Sequence, residues 1–107
     1  MELTPRTVRY YLAANLKSPF QRWLLGIDGE ARATVRARLR RIEEQGNYGD
    51  CEPVGDGVFE LRIHKGPGYR VYFGIDDKAV IILCGGNKDT QSSDIKRSKE
   101  YWNDYNA

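Results

Sequence analysis

Cysteine, histidine and methionine are scarce in this chain: two, one and one among 107 residues. The two cysteines, Cys51 and Cys84, stand apart, with no CxxC or Cys/His spacing, and this argues against a zinc site. Cys84 closes the apolar run Ala79-Val-Ile-Ile-Leu-Cys84, so it is expected as a buried small hydrophobe rather than as half of a disulfide. With one histidine and no carboxylate cluster, neither a metal nor a small-molecule cofactor is expected. No apolar stretch approaches the roughly 20 residues a membrane span requires. The N-terminal residues show no apolar h-region, so no signal peptide is expected and the cytoplasm is the default compartment. A large net charge is missing too: the balance is only +2, too small for polyanion binding by total charge alone.

What is present is a soluble composition, 40% apolar and 30% charged, of a length suited to one domain spanning residues 1–107. Charge is unevenly placed. Arg32, Arg36, Arg38, Arg40 and Arg41 crowd one window, and Arg62, Lys65, Arg70 and Lys88 fall in a second region. Acidic residues gather at Glu43-Glu44, Asp50-Glu52 and Asp76-Asp77. Such unevenness permits a basic patch on a nearly neutral protein.

Residues 7–13, rich in β-branched and aromatic types, suit an opening strand. Ser18-Pro19 reads as an N-cap with proline at the first helical position, followed by Phe20, Trp23, Leu24 and Ile27 at helical spacing. Asp28-Gly29 starts a second helix running to about Gln45, with Ala31, Val35, Leu39 and Ile42 as its buried stripe and arginines over the rest. Residues 46–57 read as a loop. Strands at about 58–64, 69–75 and 79–84 follow, joined by Gly66-Pro67-Gly68 and Asp76-Asp77-Lys78, connections short enough to demand antiparallel neighbours. The third, apolar at consecutive positions, fits an interior strand covered on both sides. Asp89 or Thr90 caps a last helix whose apolar positions are Ile95, Tyr101, Trp102 and Tyr105. The order is β-α-α-β-β-β-α, an α+β fold.

Strand alternation puts Leu61, Ile63, Tyr69, Val71, Phe73 and Ile75 inward and Arg62, His64, Arg70 and Tyr72 on the opposite face. Two arginines, a histidine and a tyrosine on one sheet face are equipped to hold a phosphodiester. Each has a plainer alternative. Arg70 could be paired across strands with Glu60 or an aspartate, and Arg62 could be an ordinary exposed cross-strand pair. His64 could be merely exposed near a turn, and Tyr72 could pack beneath the last helix. Lys88, at an expected Gly-Gly turn, lacks the Walker pattern of a phosphate loop. Asp76-Asp77 reads as turn chemistry rather than a catalytic pair.

Gly57-Val-Phe-Glu-Leu-Arg-Ile63, Gly66-Pro-Gly-Tyr-Arg-Val-Tyr-Phe73, Leu83-Cys-Gly-Gly-Asn-Lys88 and the tail Thr90-Gln91, Asp94-Ile95 and Tyr101-Trp102 resemble the RelE/ParE toxin superfamily. Within it they look most like the phage-related HigB-type addiction-module killer proteins. The resemblance implies a RelE-like antiparallel meander with two N-terminal helices on one sheet face. It also implies a toxin of a type II toxin–antitoxin pair that cuts mRNA in the ribosomal A site, neutralised by a cognate antitoxin, usually a helix-turn-helix protein. ParE-like members instead inhibit DNA gyrase without nuclease activity, and a silent phage-derived interaction domain is a third class. Carried onto this sequence, the resemblance marks Arg70, Arg62 and Lys88 as candidate catalytic residues. His64 and Tyr72 are candidates for proton transfer, with Tyr101 as a third substitute, because Ile95 stands early in the last helix where RelE members carry a tyrosine. Lys65, Arg36 and Arg40 are candidate RNA contacts, the two helix arginines having a solvated helix face as their alternative.

Overall fold

The computed structural model describes residues 4–107. Its elements are β1 (Thr7–Tyr10), α1 (Pro19–Gly26), α2 (Gly29–Gln45), β2 (Cys51–Gly55), β3 (Val58–Ile63), β4 (Tyr69–Asp76), β5 (Ala79–Asn87), a 3-10 turn (Lys88–Thr90) and α3 (Gln91–Tyr105). The α+β architecture, the antiparallel meander and an opening strand are as expected, the last shorter than residues 7–13, and one strand is added. Residues 51–55, read as loop, form the edge strand β2, antiparallel to β3. β1 lies at the opposite edge and runs parallel to β5, giving the order β1-β5-β4-β3-β2.

Local chemistry starts and stops the helices. The Ser18 hydroxyl accepts from the Gln21 amide at 3.0 Å ahead of Pro19, and the Asp28 carboxylate accepts from the Ala31 amide at 2.8 Å. α2 ends at Gly46, whose φ of 66° places it in the left-handed region that glycine enters without strain. α3 starts differently from the expectation. Asn87 caps the 3-10 turn by accepting from the Asp89 and Thr90 amides, Thr90 answers to the Asn87 backbone, and the Thr90 side chain makes no cap to α3 itself.

The sheet separates two apolar clusters. α1 and α2 cover one face, where Phe20, Leu24, Val35, Leu39 and Ile42 meet Leu61, Ile63, Val71, Phe73, Val80 and Ile82. α3 covers the other, where Ile95, Tyr101, Trp102 and Tyr105 pack on Val58, Tyr72, Ile81, Leu83 and Cys84. Each fully buried large side chain contributes about 1.5–3 kcal/mol. The apolar run of β5 serves both faces, and a bulge adjusts it: Tyr72 pairs with Cys84 and Phe73 with Ile82, so Leu83 is an extra residue. Leu83 and Cys84 consequently both meet the α3 side. Ile75, expected inward, is exposed near the end of β4. Both cysteines are free thiols.

The sheet also carries one tryptophan against a glycine on each face. A Cβ on Gly85 would stand 2.2 Å from the Trp23 ring of α1, and a Cβ on Gly74 would stand 2.5 Å from the Trp102 ring of α3. Gly86 is as tight, facing the Asp94 carboxylate. Gly85 and Gly86 therefore belong to β5, contrary to the expected turn, and the missing side chains let α1 and α3 approach the strand from opposite sides.

Candidate functional site

The hairpin between β3 and β4 builds the rim of the site. Gly66 and Gly68, at φ 55° and 79°, make the turn, and the Gly68 amide donates to the Lys65 carbonyl at 3.0 Å. The Gly68 carbonyl accepts from the Lys88 backbone amide at 2.9 Å and from Arg70 Nη1 at 3.4 Å. One loop carbonyl thus ties the start of the 3-10 turn to the strand arginine. Around it opens a solvent-facing hollow of about 460 Å³, lined by His64, Lys65, Gly68, Arg70 and Lys88 among others. Four of the eight candidate side chains meet there.

The other four stand apart from the hollow. Arg62 lies directly across from Arg70 in the β3–β4 register. Its guanidinium is engaged at 2.8 Å by Glu52 of β2, the cross-strand pairing that was its plainer reading, and at 3.0 Å by Glu60 of its own strand. Tyr72 is fully buried under α3, with its hydroxyl donating to Glu60 at 3.2 Å. Burial, then the Glu60 charge, pushes its phenol far above the ordinary value, so it is not placed to stack on a base or to release a proton at the surface. Arg36 and Arg40 line a separate groove with Val8, Tyr10, Leu39 and Glu43, between β1 and α2.

Two more arginines of α2 are not the solvated cover that helical spacing suggested. Arg32 donates to the carbonyls of Leu24 and Ile27, closing the end of α1. Arg38 donates to the carbonyls of Arg62 at 2.6 Å and Tyr48 at 2.9 Å, pinning the segment before β2 against β3. A planar guanidinium with several donors suits this clamping.

Within the hollow the charges are unequal. The His64 Nε2 lies 2.6 Å from the Asp50 carboxylate while the side chain stays 76% exposed. The hydrogen bond to His64 holds the Asp50 carboxyl below its usual value. Lys65 reaches Glu30 at the start of α2, at 3.2 Å. Lys88 has no carboxylate within ion-pair distance among the described residues. The Arg70 side chain is 14% exposed and its Nε stands 3.5 Å from Glu60, an ion-pair contact without a formed hydrogen bond, so that nitrogen is buried without a hydrogen-bond partner.

Glu60 is the site residue that sequence reasoning missed as a centre, naming it only as a pairing partner. It is fully buried, and its oxygens accept from Arg62 Nε, Tyr72 OH and Gln91 Nε2, the last at 2.8 Å. Burial pushes its carboxyl up, but the hydrogen bonds from Gln91, Arg62 and Tyr72, with the Arg70 charge, outweigh this and leave it below the usual value. The signal available in sequence was a glutamate at an alternate position between apolar neighbours, flanked two residues on by arginine. Among the described residues no three His, Cys, Asp or Glu side chains gather as metal ligands could.

Comparison with known proteins adds three findings. A family model described as phage-derived protein Gp49-like (DUF891) matches residues 22–100. A Haemophilus influenzae protein described as uncharacterized is 48% identical over 82 residues, 75% of this chain and 82% of its own length. A chain from the crystal structure of the toxin–antitoxin complex RelBE2 from Mycobacterium tuberculosis superposes with a TM-score of 0.53 at 23% identity. It covers 79% of this chain and 100% of its own length, a likeness of fold.

Proposed function

We infer that this chain, which belongs to the Gp49-like family of phage-derived proteins, is the toxin of a type II toxin–antitoxin pair and a metal-independent, ribosome-dependent mRNA endoribonuclease of HigB-like type. The fold shared with a chain of the RelBE2 toxin–antitoxin complex supports the toxin assignment. The observation that carries the nuclease reading is the hollow itself, where Arg70 and Lys88 meet at one loop carbonyl. Cleavage of RNA without metal requires the 2′-hydroxyl to give up its proton to a base as it attacks the adjacent phosphorus, positive charge on the phosphate oxygens, and a proton for the 5′-oxygen as its bond to phosphorus breaks. Arg70 and Lys88 supply the charge. His64, at the rim with Asp50 orienting its ring, supplies proton transfer. Arg62 acts from behind, across the Glu60 carboxylate. The site is thinly equipped for so demanding a reaction, and a ribosome that fixes the mRNA in line supplies the missing alignment.

Lys65 sits where it would touch RNA backbone at the rim. Arg36 and Arg40, on their separate groove, would add salt-dependent affinity for ribosomal RNA. The protein would act in the cytoplasm, and its neutralising partner would be a cognate antitoxin, of helix-turn-helix type by the resemblance.

Expression in a bacterium with sequencing of mRNA 5′ ends tests the reading. Growth arrest with cuts inside translated codons, lost in Arg70→Ala, is expected. Arrest with intact mRNA and DNA damage would overturn it in favour of gyrase inhibition.

A further inference from the structure

A fully buried carboxylate on a small sheet demands a reason, because burial of a charge is costly unless donors surround it. Glu60 draws donors from three elements: Arg62 on β3, Tyr72 on β4 and Gln91 on α3. The arginines of β3 and β4 face each other, a like-charge pair that would repel if left alone. Glu60 divides its two oxygens between them, Oε1 toward Arg62 at 3.0 Å and Oε2 toward Arg70 at 3.5 Å.

The consequence for Arg70 is directional. Its Nε faces inward to Glu60, its Nη1 donates to the Gly68 carbonyl, and Nη2 has no partner among the described residues. The guanidinium is thus held from two sides with one edge left over at the hollow. The consequence for Lys88 runs through the chain. Gln91 follows the Lys88–Thr90 turn immediately, so the bond from Gln91 to Glu60 fixes the far end of that turn while Gly68 fixes its beginning. A point one Cβ out from Gly68 lies 3.6 Å from Arg70 Nη1 and 3.8 Å from Lys88 Cβ, so the Arg70 guanidinium and the root of the Lys88 side chain border one place, and both residues line the hollow.

We propose that Glu60 is a positioning residue that, through Gln91, holds Arg70 and Lys88 together as a single phosphate-binding pair. This deepens the nuclease reading and rests on it, naming a residue that touches no substrate but sets the two that do. Gln91 is the element that separates positioning from mere satisfaction of a buried charge. Its truncation leaves Glu60 paired with both arginines and releases only the α3 tie.

The test uses the full chain and inorganic phosphate, followed by NMR at the Arg70 side-chain Nε–H and the Lys88 amide. Wild type should show both signals shifting together on titration. Gln91→Ala should stay folded, with a lowered melting temperature from the lost donor to Glu60, yet bind phosphate about tenfold more weakly at a temperature where it is fully folded, as small misplacements of binding groups cost at least that much. In a Lys88→Ala background the Gln91→Ala effect should vanish, because the tie then has no cation to place. Glu60→Gln should additionally speed solvent exchange of the Arg70 Nε–H. Phosphate affinity unchanged in Gln91→Ala, or a Gln91 effect that persists without Lys88, overturns the positioning role. Wild-type signals that ignore phosphate overturn the functional reading itself, so the two failures are distinguishable.

Discussion

The basic side chains around the hairpin fall into two groups that sequence cannot separate. On the β2 side, Arg62, His64 and Lys65 each meet a carboxylate of another element, Glu52 of β2, Asp50 just before it and Glu30 of α2. On the β5 side, Lys88 has no such partner among the described residues and Arg70 has only the inward contact to Glu60. Exposure does not divide them, since each group holds one exposed side chain, His64 in the first and Lys88 in the second. The charge of the first group is already answered, whereas that of the second is directed at the hollow. The difference teaches that a count of arginines and lysines overstates the field a ligand meets. What matters is which cations keep an unanswered edge.

Removing a member of each group should break the symmetry most sharply. Arg70→Ala is expected to lower ribosome-coupled mRNA cleavage by about 100-fold or more, the scale for losing one charge-stabilising donor. Lys88→Ala follows behind it, while Lys65→Ala changes the rate by only a small factor. Single-turnover cleavage of a ribosome-bound message measures all three, and equal losses would erase the distinction.

A fold-wide control comes next. Gly85→Ala forces a methyl against the Trp23 ring, and such overpacking costs about 1–3 kcal/mol. Urea unfolding should register it, and activity at a temperature where the variant is folded should suffer in both groups alike.

The paired group can instead be freed. In the double variant Asp50→Asn, Glu52→Gln, His64 and Arg62 lose an ionic partner each, and RNA affinity should rise with a steeper dependence on salt. Filter binding of an uncleavable 2′-O-methyl RNA at several salt concentrations reads the slope. An unchanged slope means those cations never face the nucleic acid.

The smallest effect is in acid. Asp50 and Glu60 both have carboxyls held below their ordinary values of 3.8 and 4.5. A depressed folded value means stability that is fully present above the ordinary value and is lost as pH falls through the folded one. Thermal melting should therefore decline below about pH 4.5 in the wild type, and Asp50→Asn should decline less. A flat wild-type profile down to pH 3 would remove the paired carboxylates from the stability account.

Features set by near neighbours in sequence were legible. The caps at Ser18 and Asp28, the stop at Gly46 and the two hairpins all depend on residues a few positions apart. β2 was hidden because Pro53, Gly55 and Gly57 carry loop chemistry, and an edge strand tolerates them where an interior one would not. Gly85-Gly86 looked like a turn because sequence shows the missing side chains but not Trp23 and Asp94 filling their places. For the site, nothing in strand alternation brought Lys88 to Arg70, and only the family resemblance grouped the two. Glu60 and Tyr72 were misjudged for one reason: α3, arriving from residue 91 onward, roofs the part of the polar face on which they stand.

The paired packing of tryptophan on glycine has an optical consequence. Trp23 lies on the α1 side of the sheet and Trp102 on the α3 side, and the chain has only these two. Each layer therefore carries its own fluorophore. Trp23→Phe leaves emission from the α3 layer alone, and Trp102→Phe leaves it from the layer of α1 and α2. Whether the roof over Glu60 opens before the rest of the molecule becomes a question of which colour change comes first.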